Sequence, residues 1–440
     1  MRILIAAFTI SAAALATEVP SAATFNRDVL PVLQKSCQGC HRPGQVAPMS
    51  FLSYQSARPW AKAIKEAVLS KKMPPWSADS RYGRFLNNPT LTQGEINTLA
   101  AWVDGGALEG DARDKPAPVS WLDGWTSHPD VVVSMPEPFP VPAKGVLELT
   151  EVTVPNCFMK DTWVTAIEIL PGNRSVVHHA DLLVVPHKAG VKYGVPTPES
   201  KERDGEGIAI EKVQKDDRLR PLRGIEAVYV PGTAPANYGL HGGAKLIPAG
   251  SDFVIQVHYT PNGTATTDQT KVGFTLAKEK PARRFLTVIP TAFRDAEHFH
   301  IPPGDPNWET STEVVFKQDA ELVWFLPHMH LRGKDMTYRL VYPNGESQIV
   351  LSVKYDFDWQ FGYDLEKPIL VPKGTRLQVE AHFDNSVNNR FNPNPNREVF
   401  WGDQTWEEMM IPFFGVIVDP GADSKKVVAY SKEFASSGQK

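Results

Sequence analysis

Cysteine is scarce in this chain of 440 residues: there are three, at Cys37, Cys40 and Cys157. Two lie three positions apart and the third stands alone, so no disulfide framework holds the fold together. An excess of charge of one sign is also missing. With 46 Lys and Arg against 50 Asp and Glu, the net charge is −4, which leaves no basic footprint for nucleic acid. Beyond the N-terminus no stretch is apolar enough to span a bilayer. Walker, Rossmann, GxSxG and HExxH patterns are absent, as are internal repeats and low-complexity tracts. Proline and glycine, by contrast, are plentiful, at 38 and 31 residues with no collagen period. That predicts many turns and few long helices. Hydrophobic residues at 42% and charged residues at 22% describe an ordinary globular protein, and the length accommodates about three units.

Residues 1–16 read as an export signal. Arg2 supplies the positive start, Ile3 to Ala13 the apolar run, and Ala14-Leu15-Ala16 a small-x-small cleavage site before Thr17. The apolar run is shorter than the roughly 18 residues that an anchor needs. A periplasmic or secreted location is expected, with no membrane span in the mature chain.

Cys37-Gln38-Gly39-Cys40-His41 is CxxCH, the attachment pattern of a c-type haem. Two thiols one helical turn apart can add to the two vinyl groups of one porphyrin, and the adjacent imidazole then reaches the iron. A zinc site would need a second Cys pair, which is lacking. A redox dithiol should follow a strand, yet Phe25 to Leu33 has its apolar residues at helical spacing. Met73, in Lys72-Met73-Pro74-Pro75-Trp76, is favoured as the second axial ligand on grounds of reach, with Met49 as the alternative and core packing as the plain reading of both. Leu91 to Val103 reads as a closing helix capped by Thr92 and ended by Gly105-Gly106. Residues 24–108 together resemble small cytochrome c domains, which implies a compact all-α unit that passes single electrons.

Seven prolines between Asp114 and Lys144 mark residues 109–144 as a semi-extended linker. Residues 145–285 and 286–425 read as β-rich. Ser251 to Tyr259 and Glu321 to Leu326 are short and rich in β-branched and aromatic residues. Pro248-Ala249-Gly250, Pro261-Asn262-Gly263, Pro343-Asn344-Gly345 and Pro372-Lys373-Gly374 bound such runs. Two all-β antiparallel sandwiches in series, jelly-roll-like, are the expected architecture after the helical unit.

Histidines fall at telling places: His178-His179, His258 in Val257-His258-Tyr259, and His328-Met329-His330. Residues i and i+2 of a strand share a face, so HxH can offer two imidazoles to one metal. His178 and His179 would point to opposite faces of a regular strand, so joint ligation needs a distortion there. HxH also occurs at His298-Phe299-His300, which shows how common the bare pattern is. His128, His187, His241, His298, His300 and His382 read as structural, with His241 the first candidate for another role.

The order of HH, VHY, HxH and a late Glu-Met resembles the copper type II, ascorbate-dependent monooxygenases, whose members include peptidylglycine alpha-hydroxylating and dopamine beta-monooxygenases. The matching pieces are Val177-His178-His179 with Leu182-Leu183, Gln256 to Tyr259, His328 to Lys334, and Gly402 to Met410. They cover most of residues 145–420. The resemblance implies two sandwiches with one copper each: His178, His179 and His258 on the first, and His328, His330 and Met409 on the second, where dioxygen and substrate meet. Imidazole suits both copper oxidation states, and a thioether favours Cu(I). Met409 is preferred to Met410 because it follows Glu408 directly.

Three departures bear on the transfer. The animal members are disulfide-rich and this chain is not. Where the amidating enzymes anchor a peptide carboxylate through Arg and Tyr, this chain has Leu326 and Phe413. Those enzymes also take electrons from ascorbate and carry no haem. The function expected is a dicopper monooxygenase that hydroxylates a C–H bond of a small, less polar substrate, with electrons relayed from an external donor through the haem. A non-catalytic electron carrier or copper-binding protein on the same scaffold is the alternative, and His-rich sites also take zinc.

Overall fold

The computed structural model describes residues 22–121, 124–198, 225–423 and 426–431; the expected export signal at residues 1–16 lies outside them. Among the described residues α-helix is confined to the N-terminal part, with a short 3-10 turn beyond it at Tyr238–His241. The helical turn Phe25–Val29 runs into α1 (Leu30–Ser36), and α2 (Ala61–Leu69) follows from the short turns Tyr54–Ala57 and Arg58–Trp60. The helix expected between Leu91 and Val103 is α3 (Gln93–Asp104). Its start follows from the sequence: the Thr92 side chain accepts from Glu95 N while the Glu95 carboxylate accepts from Thr92 N. Phe25, Leu33, Leu99 and Trp102 are fully buried between these helices.

The remainder is β-structure in four principal antiparallel sheets. The first contains β1 (Val131–Ser134), β3 (Thr162–Leu170) and β7 (Lys271–Leu276), in the order β1-β7-β3. The second contains β2 (Thr150–Pro155), β4 (Val177–Pro186), β5 (Ile225–Tyr229) and β6 (Ser251–Tyr259), in the order β2-β6-β4-β5. The third contains β8 (Arg284–Val288), β10 (Ala320–His328), β13 (Tyr363–Val371) and β15 (Ile411–Val418), in the order β8-β15-β10-β13. The fourth contains β9 (Trp308–Phe316), β11 (Gly333–Val341), β12 (Ser347–Lys354) and β14 (Arg376–Phe383), in the order β12-β11-β14-β9. Residues alternate between buried and more exposed along β14, as expected of a strand with one face on the core. All nine residues of β6 are buried. Gly345 takes φ 87° in the turn between β11 and β12, a conformation that a side chain would strain.

The expected fold class needs correction. The chain is mostly β with short helices, and residues 24–108 do not form an all-α cytochrome domain. The stretch from Lys72 to Thr92, broken by Pro74, Pro75, Gly83 and Pro89, cannot be helical and lies along the β-structure instead. Ala78 bridges to Val353 and Phe85 to Leu365, and Trp76 packs edge-on against Tyr363. Nor are the β-halves two sandwiches simply in series. Phe285, Val323 and Ile417 from the third sheet are buried in the core of the first two, while their strand neighbours Leu286, Leu322 and Val416 face the second core. The third sheet is thus covered on both faces.

Part of the Pro-rich segment expected as linker is sheet: β1 pairs with β7 over Val131–Ser134. Among the described residues no helix is long and apolar enough to cross a membrane.

Candidate metal centre

His178 and His179 do bring their ring nitrogens together, and the reason is a β-bulge. Along β6 and β4, His258 pairs with His179 and Tyr259 with Val177, leaving His178 as the extra residue. A bulge bends the strand and re-aims the inserted side chain. The two Nδ1 atoms consequently approach to 3.1 Å, and the ligand atoms of His178, His179 and His258 all lie within 4.8 Å of one another. A tetrahedral ion at the usual Zn–N or Cu–N length holds two nitrogens about 3.3 Å apart, so the cluster already has the spacing of a ligand set. His258 Nδ1 is buried with no hydrogen-bond partner, which fits an atom whose partner is an ion.

His328 ends β10 and His330 follows two residues later, their ring centroids 5.3 Å apart. Each is held through Nδ1: His328 donates to Gln360 Oε1 at 2.6 Å, and His330 donates to the Glu407 carbonyl at 3.2 Å. For His328 this leaves Nε2 as the acceptor for a metal, while the His330 ring also meets the Gln404 backbone. The turn is fixed from beneath by Glu408, fully buried, which accepts from His330 N at 3.0 Å and Arg332 N at 2.5 Å. Burial pushes the Glu408 carboxyl up to about 8 against the pull of these donors and of the Arg332 guanidinium. Met409 is buried in the core directly after it, as is Met410.

Burial keeps all five imidazoles neutral. It brings His178 down to about 4, His258 to about 3 and His328 to about 4, and drives His179 and His330 well below the ordinary value. Neutral imidazole is the form that binds metal. Asp181, two residues past His179, is raised to about 7 by burial. The donor set fits copper: all five donors are imidazole nitrogens, on three buried and two half-buried histidines.

A cleft adjoins the HxH side through Gln360 and is lined also by Trp324, Phe285, Asp364 and Glu226. Leu326 and Phe413, directly paired across β10 and β15, form part of its wall. At the two positions where the amidating enzymes place charged and hydroxyl anchors the wall is apolar, while Glu226, Asn237, Gln360 and Asp364 make the rest of the lining mixed.

The CxxCH segment turns tightly after α1, with Cys40 N and His41 N both donating to the Cys37 carbonyl at 3.1 and 2.9 Å. The two thiols are free and half-buried, and burial pushes Cys37 up to about 12. Two thiols and a neutral imidazole in one turn are the donor set that a covalent haem needs, so the residues fit. Of the two axial candidates, Met49 packs against the helical core and Met73 is half-buried. The turn rests on the β-structure, where a Cβ added at Gly232 would meet Cys40 Sγ at 3.4 Å and Phe361 at 3.9 Å.

No family model and no curated protein matches the chain. Solved structures do match, weakly. A structure of PNGF-II is 11% identical over 66% of this chain and 65% of that one, with a TM-score of 0.26. The T13 particle of infectious bursal disease virus gives 8% identity over 71% and 76%, with a TM-score of 0.19. Likeness at that level carries no argument about fold or chemistry.

The other histidines lie apart from the centre. His187 meets Asp252 at 3.0 Å, His241 donates to the Leu365 carbonyl at 3.0 Å, and His300 stacks on Phe400. His298 belongs to a grouping with Asp295 and Glu297, and His382 to one with Glu309 and Glu380; neither grouping was expected from sequence. Gln360 and Phe357 were also missed. A lone Gln or Phe in a loop carries no periodicity or motif, so only the fold reveals them.

Proposed function

We propose that this chain is an exported copper-dependent monooxygenase that hydroxylates a C–H bond of a small, largely apolar substrate, related to the copper type II, ascorbate-dependent enzymes. One observation carries the reading: five imidazoles from both β-halves, three buried and two half-buried, converge near a cleft walled in part by Leu326 and Phe413. His178, His179 and His258 would hold one copper; His328, His330 and Met409 would hold the other. Copper bound there supplies one-electron storage and activation of dioxygen. The chain's own part is to keep the imidazoles unprotonated, to fix their rings through Gln360 and Glu407, and to present substrate against Leu326 and Phe413 away from water.

A c-type haem on Cys37, Cys40 and His41, with Met73 or Met49 opposite, would supply single electrons received from an external donor. An export signal at residues 1–16 agrees with that chemistry, since covalent haem and copper are both loaded outside the cytoplasm. The second reading is a copper-binding electron carrier without turnover, and the absence of a charged anchor at Leu326 and Phe413 favours it. Copper-loaded protein incubated with candidate substrates under labelled dioxygen separates the two. Label in a hydroxylated product is expected; hydrogen peroxide alone, with every substrate recovered intact, would refute the monooxygenase.

A further inference from the structure

The CxxCH turn belongs to the helical part, yet its second cysteine faces the β-structure. A Cβ added at Gly232 would meet Cys40 Sγ at 3.4 Å and Phe361 Cε1 at 3.9 Å, so the three residues border one small space. Gly232 comes three residues after β5 with φ 86°, a conformation that suits a residue without a side chain. Tyr229, which ends β5, is half-buried and close enough to feel both Cys40 and Arg174. Arg174 in turn donates from Nη1 to Gln45 Oε1 at 3.1 Å, four residues past His41.

The helical part is fastened to the same region a second time. Lys354 N donates to the Ser77 carbonyl at 3.0 Å and Asp79 N to the Ser352 carbonyl at 2.8 Å, at the end of β12. Leu86 N donates to the Asp364 carbonyl and Glu366 N to the Arg84 carbonyl, both at 2.8 Å, along β13. Between these points the Trp76 ring lies 6.4 Å from Phe361 and 4.9 Å from Tyr363. Phe361 therefore borders both Cys40 and the segment that follows Met73. Its loop also carries Phe357, stacked on His178, and Gln360, which holds His328 Nδ1 at 2.6 Å.

Addition of a thiol to a vinyl group leaves the porphyrin one carbon away from the sulfur, so what lines Cys40 Sγ lines the haem. We infer that the haem on Cys37, Cys40 and His41 is held in a composite site, walled on its Cys40 edge by Gly232 and Phe361 with Arg174 as its neighbouring cation. This rests on the haem reading above and goes beyond it, because a haem enclosed by residues 24–108 alone would satisfy that reading equally well.

The test uses the full chain, expressed in cells that mature c-type haem, with covalent attachment checked by mass spectrometry. The haem reduction potential is then titrated in the wild type, Arg174→Gln, Arg174→Lys and Phe361→Leu. Loss of the Arg174 charge should favour the ferric haem, so that the ratio of reduced to oxidised haem at a fixed poise falls severalfold, and Arg174→Lys should restore most of it. Phe361→Leu, which opens that edge to water, should lower the ratio as well. Haem-bearing protein whose potential stays at the wild-type value in Arg174→Gln and in Phe361→Leu overturns the composite site and leaves the haem reading standing. A chain that attaches no haem overturns both. Arg174→Gln decides by itself if the Phe361 variant fails to fold.

Discussion

Glu408 lies where the fold and the centre depend on the same atoms. Its two carboxylate oxygens accept the backbone N–H groups of His330 and Arg332, and the Arg332 guanidinium, itself 1% exposed, stands 3.9 Å away. Glu408→Ala removes both acceptors in a fully buried place. Each orphaned N–H costs about 1–3 kcal/mol, and the cavity and the less compensated guanidinium add to this. A total loss of about 3–6 kcal/mol is expected. Glu408→Gln keeps one oxygen acceptor but turns an amide N–H₂ toward the other donor, so it should lose about 1–3 kcal/mol. Urea unfolding of the metal-free chain, followed by tryptophan fluorescence, measures both. If the Ala variant unfolds within about 1 kcal/mol of the Gln variant, the carboxylate is not what fixes the HxH turn, and the reasoning fails.

Other consequences can be checked directly. Burial raises the Asp364 carboxyl to about 6, with no opposing cation. As pH rises from about 4 to 6, the unfolded chain ionises first, so the wild type loses stability across that window and keeps the deficit above it; Asp364→Asn should remove that slope and gain up to about 3 kcal/mol at pH 7.5. Unfolding curves for the two proteins that stay parallel from pH 4 to 7 would rule this out. Because the third sheet is shared by both cores, calorimetry should show the β-halves unfolding in one transition, with Ile417→Ala lowering the whole of it at a cost of about 2–5 kcal/mol. Two transitions, only one of which responds, would contradict the shared core. Gly232 has φ 86° and lies against Cys40. In the haem-free chain, Gly232→Val should destabilise by about 1–2 kcal/mol and quicken thiol labelling of Cys40; unchanged labelling would argue against the docking of that turn.

Much of this was legible in the residues. Thr92 and Glu95 announced the start of α3, and the Pro–Gly turns fixed the ends of β6 and of the β11–β12 hairpin. The five histidines were found because strand periodicity and their order along the chain make them stand out. Their convergence was not legible. It needs a bulge that admits His178, and a bulge is set by pairing between distant strands rather than by any local signal. The all-α domain failed for a related reason. CxxCH and two good helices drew attention from Lys72 to Thr92, whose prolines deny helix and whose Trp76 and Phe85 find their partners on the third sheet. Val131–Ser134 was hidden likewise, a Val-rich edge strand among prolines that read as a linker. Gln360 and Glu408 act through hydrogen bonds across 32 and 78 positions, beyond the reach of any window.

The central claim is that these five histidines hold copper, and a count of bound metal tests it most directly. The full chain saturated with copper and freed of loose ions should carry two coppers, with fewer in His258→Ala and in His328→Ala. A wild-type chain that binds fewer than two coppers and takes up zinc in their place, or variants that bind as much copper as the wild type, would contradict the account.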